Sequence, residues 1–210
     1  KTPPQAADGK KISPRAFLLC MAVLATGAVT VGIIRDGVSG WVPNIIYEIF
    51  GVEKYLSVII SFVIPATAVF GAFIGQNLVK KFKNNMGVCA GTLVFTTAVI
   101  TVVIFCYDKS VALIVALLAL STLATTLLAN QLVSVIPLQF RKISNSGRLS
   151  GILNFFTYVG SAISSYGLGA IADVYGWKMV MIFLAVAAAA ACLIMTAGSF
   201  YWKKKIMPLF

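Results

Sequence analysis

The sequence predicts an all-α membrane protein of six transmembrane helices, arranged as a 3+3 inverted repeat. Composition, the spacing of apolar runs and the placement of basic residues carry that prediction. Of 210 residues, 60% are hydrophobic and 11% charged, where a soluble domain has about 45–50% and about 25%. Seventeen basic and six acidic side chains cannot clothe a soluble surface of this size. An ordinary cytosolic enzyme, a secreted disulfide scaffold and a disordered chain are all excluded.

Residues 1–15 are polar and hold Pro3, Pro4 and Pro14, which reads as a cytoplasmic linker. A six-helix bundle is expected over 16–202, and a basic cytoplasmic tail over 203–210. The apolar runs cover roughly 16–34 (continuing to about 50), 55–79, 86–107, 111–138, 149–172 and 177–202. Each meets or exceeds the ~20 residues that cross ~30 Å of hydrocarbon as a helix. Short charged or turn-rich connectors separate them. The runs lack the alternation of polar and apolar residues that barrel strands require. The first run is too long for a signal peptide and has no small-residue cleavage site after it. Opening on Lys1 rather than Met, the chain reads as a fragment or processed piece.

Basic residues set the orientation. Lys1, Lys10, Lys11, Arg15, Lys80, Lys81, Lys83, Arg141, Lys142, Arg148, Lys203, Lys204 and Lys205 fall on one side, against Lys54, Lys109 and Lys178 on the other. The positive-inside rule makes the first side, with both termini, cytoplasmic, in a plasma (cell inner) membrane. The net charge of +11 is then topology with attraction to the lipid bilayer, and no nucleic-acid partner is expected. Cys20, Cys89, Cys106 and Cys192 lie in or at the ends of apolar runs and read as small hydrophobes. With no His in the chain, neither a metal site nor a cofactor is expected.

The six helices differ in polarity. The third and sixth have no Asn, Gln or charged residue in their interiors and are expected to face lipid. The first holds Arg35, Asp36, Asn44 and Glu48; the second, Gln76 and Asn77; the fourth, Asn130, Gln131 and Gln139; the fifth, Asn154, Tyr158 and Tyr166. A polar helix set repeating in threes is what an inverted-repeat transporter would produce. Helical spacing gathers Thr122, Thr126, Asn130 and Ser134 on one face of the fourth helix. It gathers Asn154, Tyr158, Ser161 and Ser165 on one face of the fifth, and Ala28, Gly32, Arg35 and Ser39 on one face of the first. The competing explanation is structural: Ser and Thr bond back to their own helix, and amides hold helices together at about 0.6 kcal/mol or slightly more. Gly71-x-x-x-Gly75 and Gly87-x-x-x-Gly91 read as packing motifs.

Arg35 stands out because an arginine inside an apolar span costs ~2.5–3.5 kcal/mol on insertion scales and must face a cavity or a partner. Its planar fork matches phosphate or carboxylate, and the small residues beside it leave room for a ligand. Asp36 is expected to be a poor partner, since neighbours on a helix do not face each other. Alternatively the helix ends near residue 36 and Arg35 snorkels to the outer interface. No G-x-S-x-G, P-loop, G-x-G-x-x-G or H-E-x-x-H motif occurs, and the carboxylates are too scattered for a dyad. No catalytic residues, and no enzyme, are expected.

Ile33-Ile34-Arg35-Asp36-Gly37-Val38-Ser39-Gly40-Trp41-Val42-Pro43 resembles the seventh transmembrane helix of the organophosphate:phosphate antiporters of the major facilitator superfamily. The shared core is apolar-apolar-Arg-x-Gly-x-x-x-Trp-x-Pro. Gly151, Phe156, Tyr158 and Gly160, then Gly169-x-x-x-Asp173-x-x-Gly176-Trp177, resemble that family's eleventh helix. The chain departs from the family at Gly32, where a tyrosine is usual, and at Gly75, where an acidic residue is usual. The resemblance implies the C-terminal six-helix half of a twelve-helix rocker-switch carrier, partnered by an N-terminal six-helix half. It implies that Arg35 grips a substrate phosphate and that Tyr158 lines the same pocket. The function expected is secondary active transport, by alternating access, of a small anionic metabolite, a phosphorylated one or another anion. Arg35 would supply the charge, Asn130, Asn154 and Tyr158 the polar lining, and Gly37 and Gly40 freedom to bend. A transporter-like sensor of such a ligand and a stand-alone membrane scaffold are the alternatives.

Overall fold

A computed structural model describes residues 13–81, 85–142 and 144–205, with the side chains of 76, 78–81, 142 and 205 left aside. Most of the expected linker, the end of the tail and several of the loop lysines therefore lie outside the described residues. The described residues form α1 (Pro14–Phe50), α2 (Lys54–Ser61), α3 (Val63–Lys81), α4 (Asn85–Cys106), α5 (Val111–Asn130), α6 (Ile136–Gln139), α7 (Ser146–Tyr175) and α8 (Trp177–Lys205). A π-helical turn, Gln131–Val135, joins α5 to α6. These make six rods, because α2–α3 and α5–α6 are each one broken helix.

Local chemistry explains the ends and breaks. Pro14 starts α1, where a missing N–H costs nothing. Gly51 ends it in the left-handed conformation (φ 65°) and donates its N–H to the Tyr47 carbonyl. The second rod breaks at Phe62 because Pro65 has no N–H for the Ser61 carbonyl. The Asn145 side chain caps α7 by accepting from the N–H groups of Gly147 and Arg148, at 3.0 and 3.2 Å.

Five rods are long and apolar enough to cross a membrane: Pro14–Phe50, Lys54–Gly75, Asn85–Cys106, Val111–Gln139 and Trp177–Lys204. Six were expected. The remaining rod, α7, has ample length at 30 residues, but its Ser, Asn and Tyr residues dilute its hydropathy. The chain is an integral membrane protein, and α7 is its most polar rod.

Packing follows a two-fold exchange of the first three rods with the last three. The main partner of α1 is α7, and the main partner of α3 is α5; α1 also packs on α8 as α5 does on α4; and α4 packs on α8. Swapping α1 with α5, α3 with α7 and α4 with α8 leaves this set unchanged, the signature of an inverted repeat. Closest approach falls on glycines. A Cβ on Gly32 would strike the Thr157 carbonyl oxygen and one on Gly160 the Val29 carbonyl oxygen, so α1 and α7 cross backbone to backbone. Gly71 meets the Leu123 carbonyl and Gly75 meets Leu127 in the α3–α5 crossing, as the first packing motif required. The second motif behaves differently, since Gly91 faces open space.

Two apolar clusters stack along the bundle. One, at the end where α1 begins and α8 ends, gathers Leu24, Val31, Leu93, Leu128, Phe140, Leu153 and Trp202. The other gathers Ile34, Val42, Ile100, Leu118, Leu168, Trp177 and Leu184. Their seam crosses α1 between Val31 and Ile33.

Candidate functional site

Arg35 is the 22nd of 37 residues in an unbroken α1, so the helix does not end beside it as the snorkelling alternative required. Its side chain is 28% exposed, and that of Asp36 is 31% exposed. Contrary to the sequence expectation, the two are paired. Arg35 donates from Nε to Asp36 Oδ1 at 2.6 Å and from Nη2 to Oδ2 at 3.0 Å. The expectation considered only Cβ directions, which diverge by a hundred degrees or so between neighbours. A flexible arginine chain reaches round the helix surface and presents one edge of its fork to the short carboxylate. Ser161 of α7 also donates to Asp36 Oδ2, so charge pair and helix crossing form one unit.

Gly32 therefore serves a different purpose from the one its spacing suggested. It brings Thr157 and Ser161 of α7 against α1 instead of leaving room around the guanidinium. Gly37 likewise packs on Ser164 and Leu168, whereas Gly40 is open. Trp41 lies over Gly169 and donates its Nε1 hydrogen to the Ser164 carbonyl at 3.2 Å. Its ring sits 5.8 Å from that of Trp177, whose Nε1 donates to Glu48 Oε2 at 2.6 Å. These contacts fasten the part of α1 beyond Arg35 to α7 and α8.

Asn154 and Tyr158 are exposed, Tyr158 by 63%. With half-buried Ser161 and exposed Ser165 they form the polar face expected on α7. Tyr158 stands one helical turn before Ser161 and Asn154 two turns before it, which puts both on the flank of α7 that carries the Asp36 contact. Much of the Ser and Thr content is structural, as the alternative held. Ser165, Thr122 and Thr157 each donate to a carbonyl four residues back.

The fourth-helix face contains groups that are not satisfied in this way. Thr126 Oγ1, Asn130 Nδ2 and Gln131 Oε1 are buried without a hydrogen-bond partner. Gln131 is fully buried and spends only Nε2, donating to the Gly75 carbonyl at 3.0 Å. They sit where α5 passes into the π-turn, a distortion that often marks functional sites. Pro137 is its local cause. Having no N–H, it leaves the Val133 carbonyl without its usual donor, and Ser150 of α7 supplies one from its hydroxyl at 2.5 Å. The sequence signal for this turn is Pro137 inside an apolar run.

The structure thus joins Arg35 to Asp36 and Ser161, sets Asn154 and Tyr158 on the adjoining face, and puts Asn130 on another rod with an unmet donor. Among the described residues, no group of three or more His, Cys, Asp or Glu side chains is placed to hold a metal ion.

Residues 24–205 match the sequence model of the Major Facilitator Superfamily. The structure is similar to that of a bacterial homologue of the iron transporter ferroportin in its outward-facing state, with a TM-score of 0.62 and 12% identity. The likeness covers 91% of this chain and 47% of that one, so the chain spans about half the length of that transporter. No curated protein matches the sequence.

Proposed function

The chain belongs to the Major Facilitator Superfamily, a transporter family rather than an enzyme one, and from that premise we propose that it is the C-terminal half of a secondary carrier for a small anionic, phosphorylated metabolite. Residues 1–15 would be the linker from an N-terminal six-helix half and 203–210 a basic tail, with both ends cytoplasmic in a plasma (cell inner) membrane. Substrate would bind between the halves and be released by alternating access. Exchange for phosphate, as in the organophosphate:phosphate antiporters that the sequence resembles, would be one of its modes.

One observation carries the reading: a guanidinium midway along an apolar helix, partly exposed, with donors to spare. Asp36 engages two of the five N–H groups of Arg35. The two on Nη1 and one on Nη2 remain, a geometry suited to an oxyanion arriving end-on. Asn154 and Tyr158 supply hydrogen-bonding groups on the neighbouring face. Asn130, with a buried amide donor unused, supplies one from α5. The ferroportin likeness, at 12% identity, speaks for the fold alone and brings no metal cargo with it.

Arg35→Lys in the full-length protein tests the assignment. A point charge cannot reproduce the fork, so proteoliposome uptake of labelled phosphate and sugar phosphates should be abolished while expression persists. Wild-type uptake by the mutant would refute it. Ligand-dependent stabilisation without flux in the wild type would mark a sensor instead of a carrier.

A further inference from the structure

We propose that Asp36 is the resident counter-ion of the anion site, and that it allows the carrier to move substrate in net fashion as well as by exchange. The inference rests on Arg35 being the anion ligand. Asp36 takes Nε and Nη2 of Arg35 at 2.6 and 3.0 Å and the Ser161 hydroxyl from across the crossing. These bonds lie along one edge of the guanidinium. An oxyanion meeting the Nη1/Nη2 end does not have to displace the carboxylate. Asp36 changes the charge of the empty site instead.

During alternating access the cavity closes at both ends and sheds water before it reopens. A lone guanidinium in that closed cavity is an unpaired buried charge, and such charges are strongly disfavoured. A bound anion removes the penalty, so a carrier built on arginine alone crosses loaded and only exchanges. Asp36 makes the unloaded site neutral, and Ser161 fixes that neutral pair to α7; the loaded site then carries the anion's own charge, taken up by the free Nη1 and Nη2 hydrogens of Arg35 and the amide and hydroxyl donors of Asn154 and Tyr158. The empty carrier can then recross, which closes a net transport cycle.

Among the described residues, no other charge on the helices packed against α1 takes this role. α5 contains no charged residue, and those of α8 are Lys178 and Lys203 to Lys205, at its two ends. On α7, Arg148 and Asp173 lie in the first and last turns, and the α2 cation Lys54 opens its helix. Glu48, the other carboxylate of α1, accepts from Trp177.

The test uses the full-length transporter in proteoliposomes, with labelled inorganic phosphate as probe. Vesicles are either phosphate-free inside (net uptake) or preloaded with unlabelled phosphate (exchange). Wild type should fill both. Asp36→Asn should lower the ratio of net uptake to exchange by at least about tenfold, about 1.4 kcal/mol on the return of the empty carrier relative to the loaded one. Asp36→Glu should restore net uptake, and Asp36→Ser serves as a second neutral variant if the amide folds poorly. The proposal is overturned by a wild type that fills only preloaded vesicles. It is equally overturned if the neutral variants lose both modes in proportion, keep both, or fail to accumulate. Arg35→Lys separates the two levels. A dead lysine variant beside an unaffected Asp36→Asn sinks the counter-ion alone, whereas a fully active lysine variant sinks the site and the counter-ion together. Absence of phosphate flux in wild-type vesicles of both kinds also counts against both.

Discussion

Alanine at Gly32 probes the helix crossing on which the charge pair stands. Its added methyl would overlap the Thr157 carbonyl oxygen and lie 2.8 Å from the Ser161 nitrogen. Both are backbone atoms, so no side chain can rotate aside. Restoring an ordinary contact of about 3.5 Å requires α7 to retreat by roughly 0.7 Å at Ser161 and further at Thr157. Overpacking of this kind costs about 1–3 kcal/mol, and fixed backbone on the opposing side places Gly32→Ala near the upper end. For a chain of this size, ~3 kcal/mol lowers the melting temperature by roughly 6–12 °C. Thermal unfolding of the detergent-purified protein reads that shift. Gly40→Ala is the internal control: it lies on the same helix, has nothing within 4 Å of the new methyl, and should be neutral or stabilising by about 0.4–1 kcal/mol. Equal melting temperatures for Gly32→Ala and the wild type would refute the close crossing, and with it the placement of Ser161 against Asp36.

Two further perturbations test the framework around the site. Ser150→Ala removes the donor that serves the Val133 carbonyl and should cost about 1–3 kcal/mol. Adding Pro137→Ala returns a backbone N–H and should recover much of that loss, giving a non-additive double-mutant cycle in thermal unfolding. Trp177→Phe deletes the indole bond to Glu48. Because Glu48 is solvent-exposed, the cost should be about 1 kcal/mol, seen as a melting-temperature drop of roughly 2–4 °C; no change would mean that this contact does not fasten α1 to α8.

Much of the architecture was legible in the chain. Twenty-residue apolar runs, turn residues such as Gly51 and Gly176, and polar content repeating in threes were enough for six rods and their two-fold relation. Legibility stopped where a property depends on side-chain reach or on a partner distant in sequence. Helical spacing put Gly32 and Arg35 on one face, but whether a glycine leaves a void or admits another backbone depends on α7, more than a hundred residues later. Adjacent residues diverge at Cβ, yet the long Arg35 side chain bridges that divergence to reach Asp36. The π-turn is a case of the same kind. Pro137 announces that a carbonyl loses its donor, but only the folded chain reveals that Ser150 replaces it. Tyr158 and Asn154 share a face with Ser161 by spacing alone, and the folded chain leaves both exposed.

The swapped pairing of the two triplets has a consequence for biogenesis. α1 is made before its chief companion, α7, which begins only at Ser146. During synthesis α1 must therefore lodge among lipids while the helix that will cover it is still unmade. A solitary arginine would resist that early partitioning, but Asp36 leaves the ribosome immediately after Arg35 and can neutralise it within the same nascent segment. The carboxylate would then act as a travelling companion for the guanidinium before it ever meets a substrate.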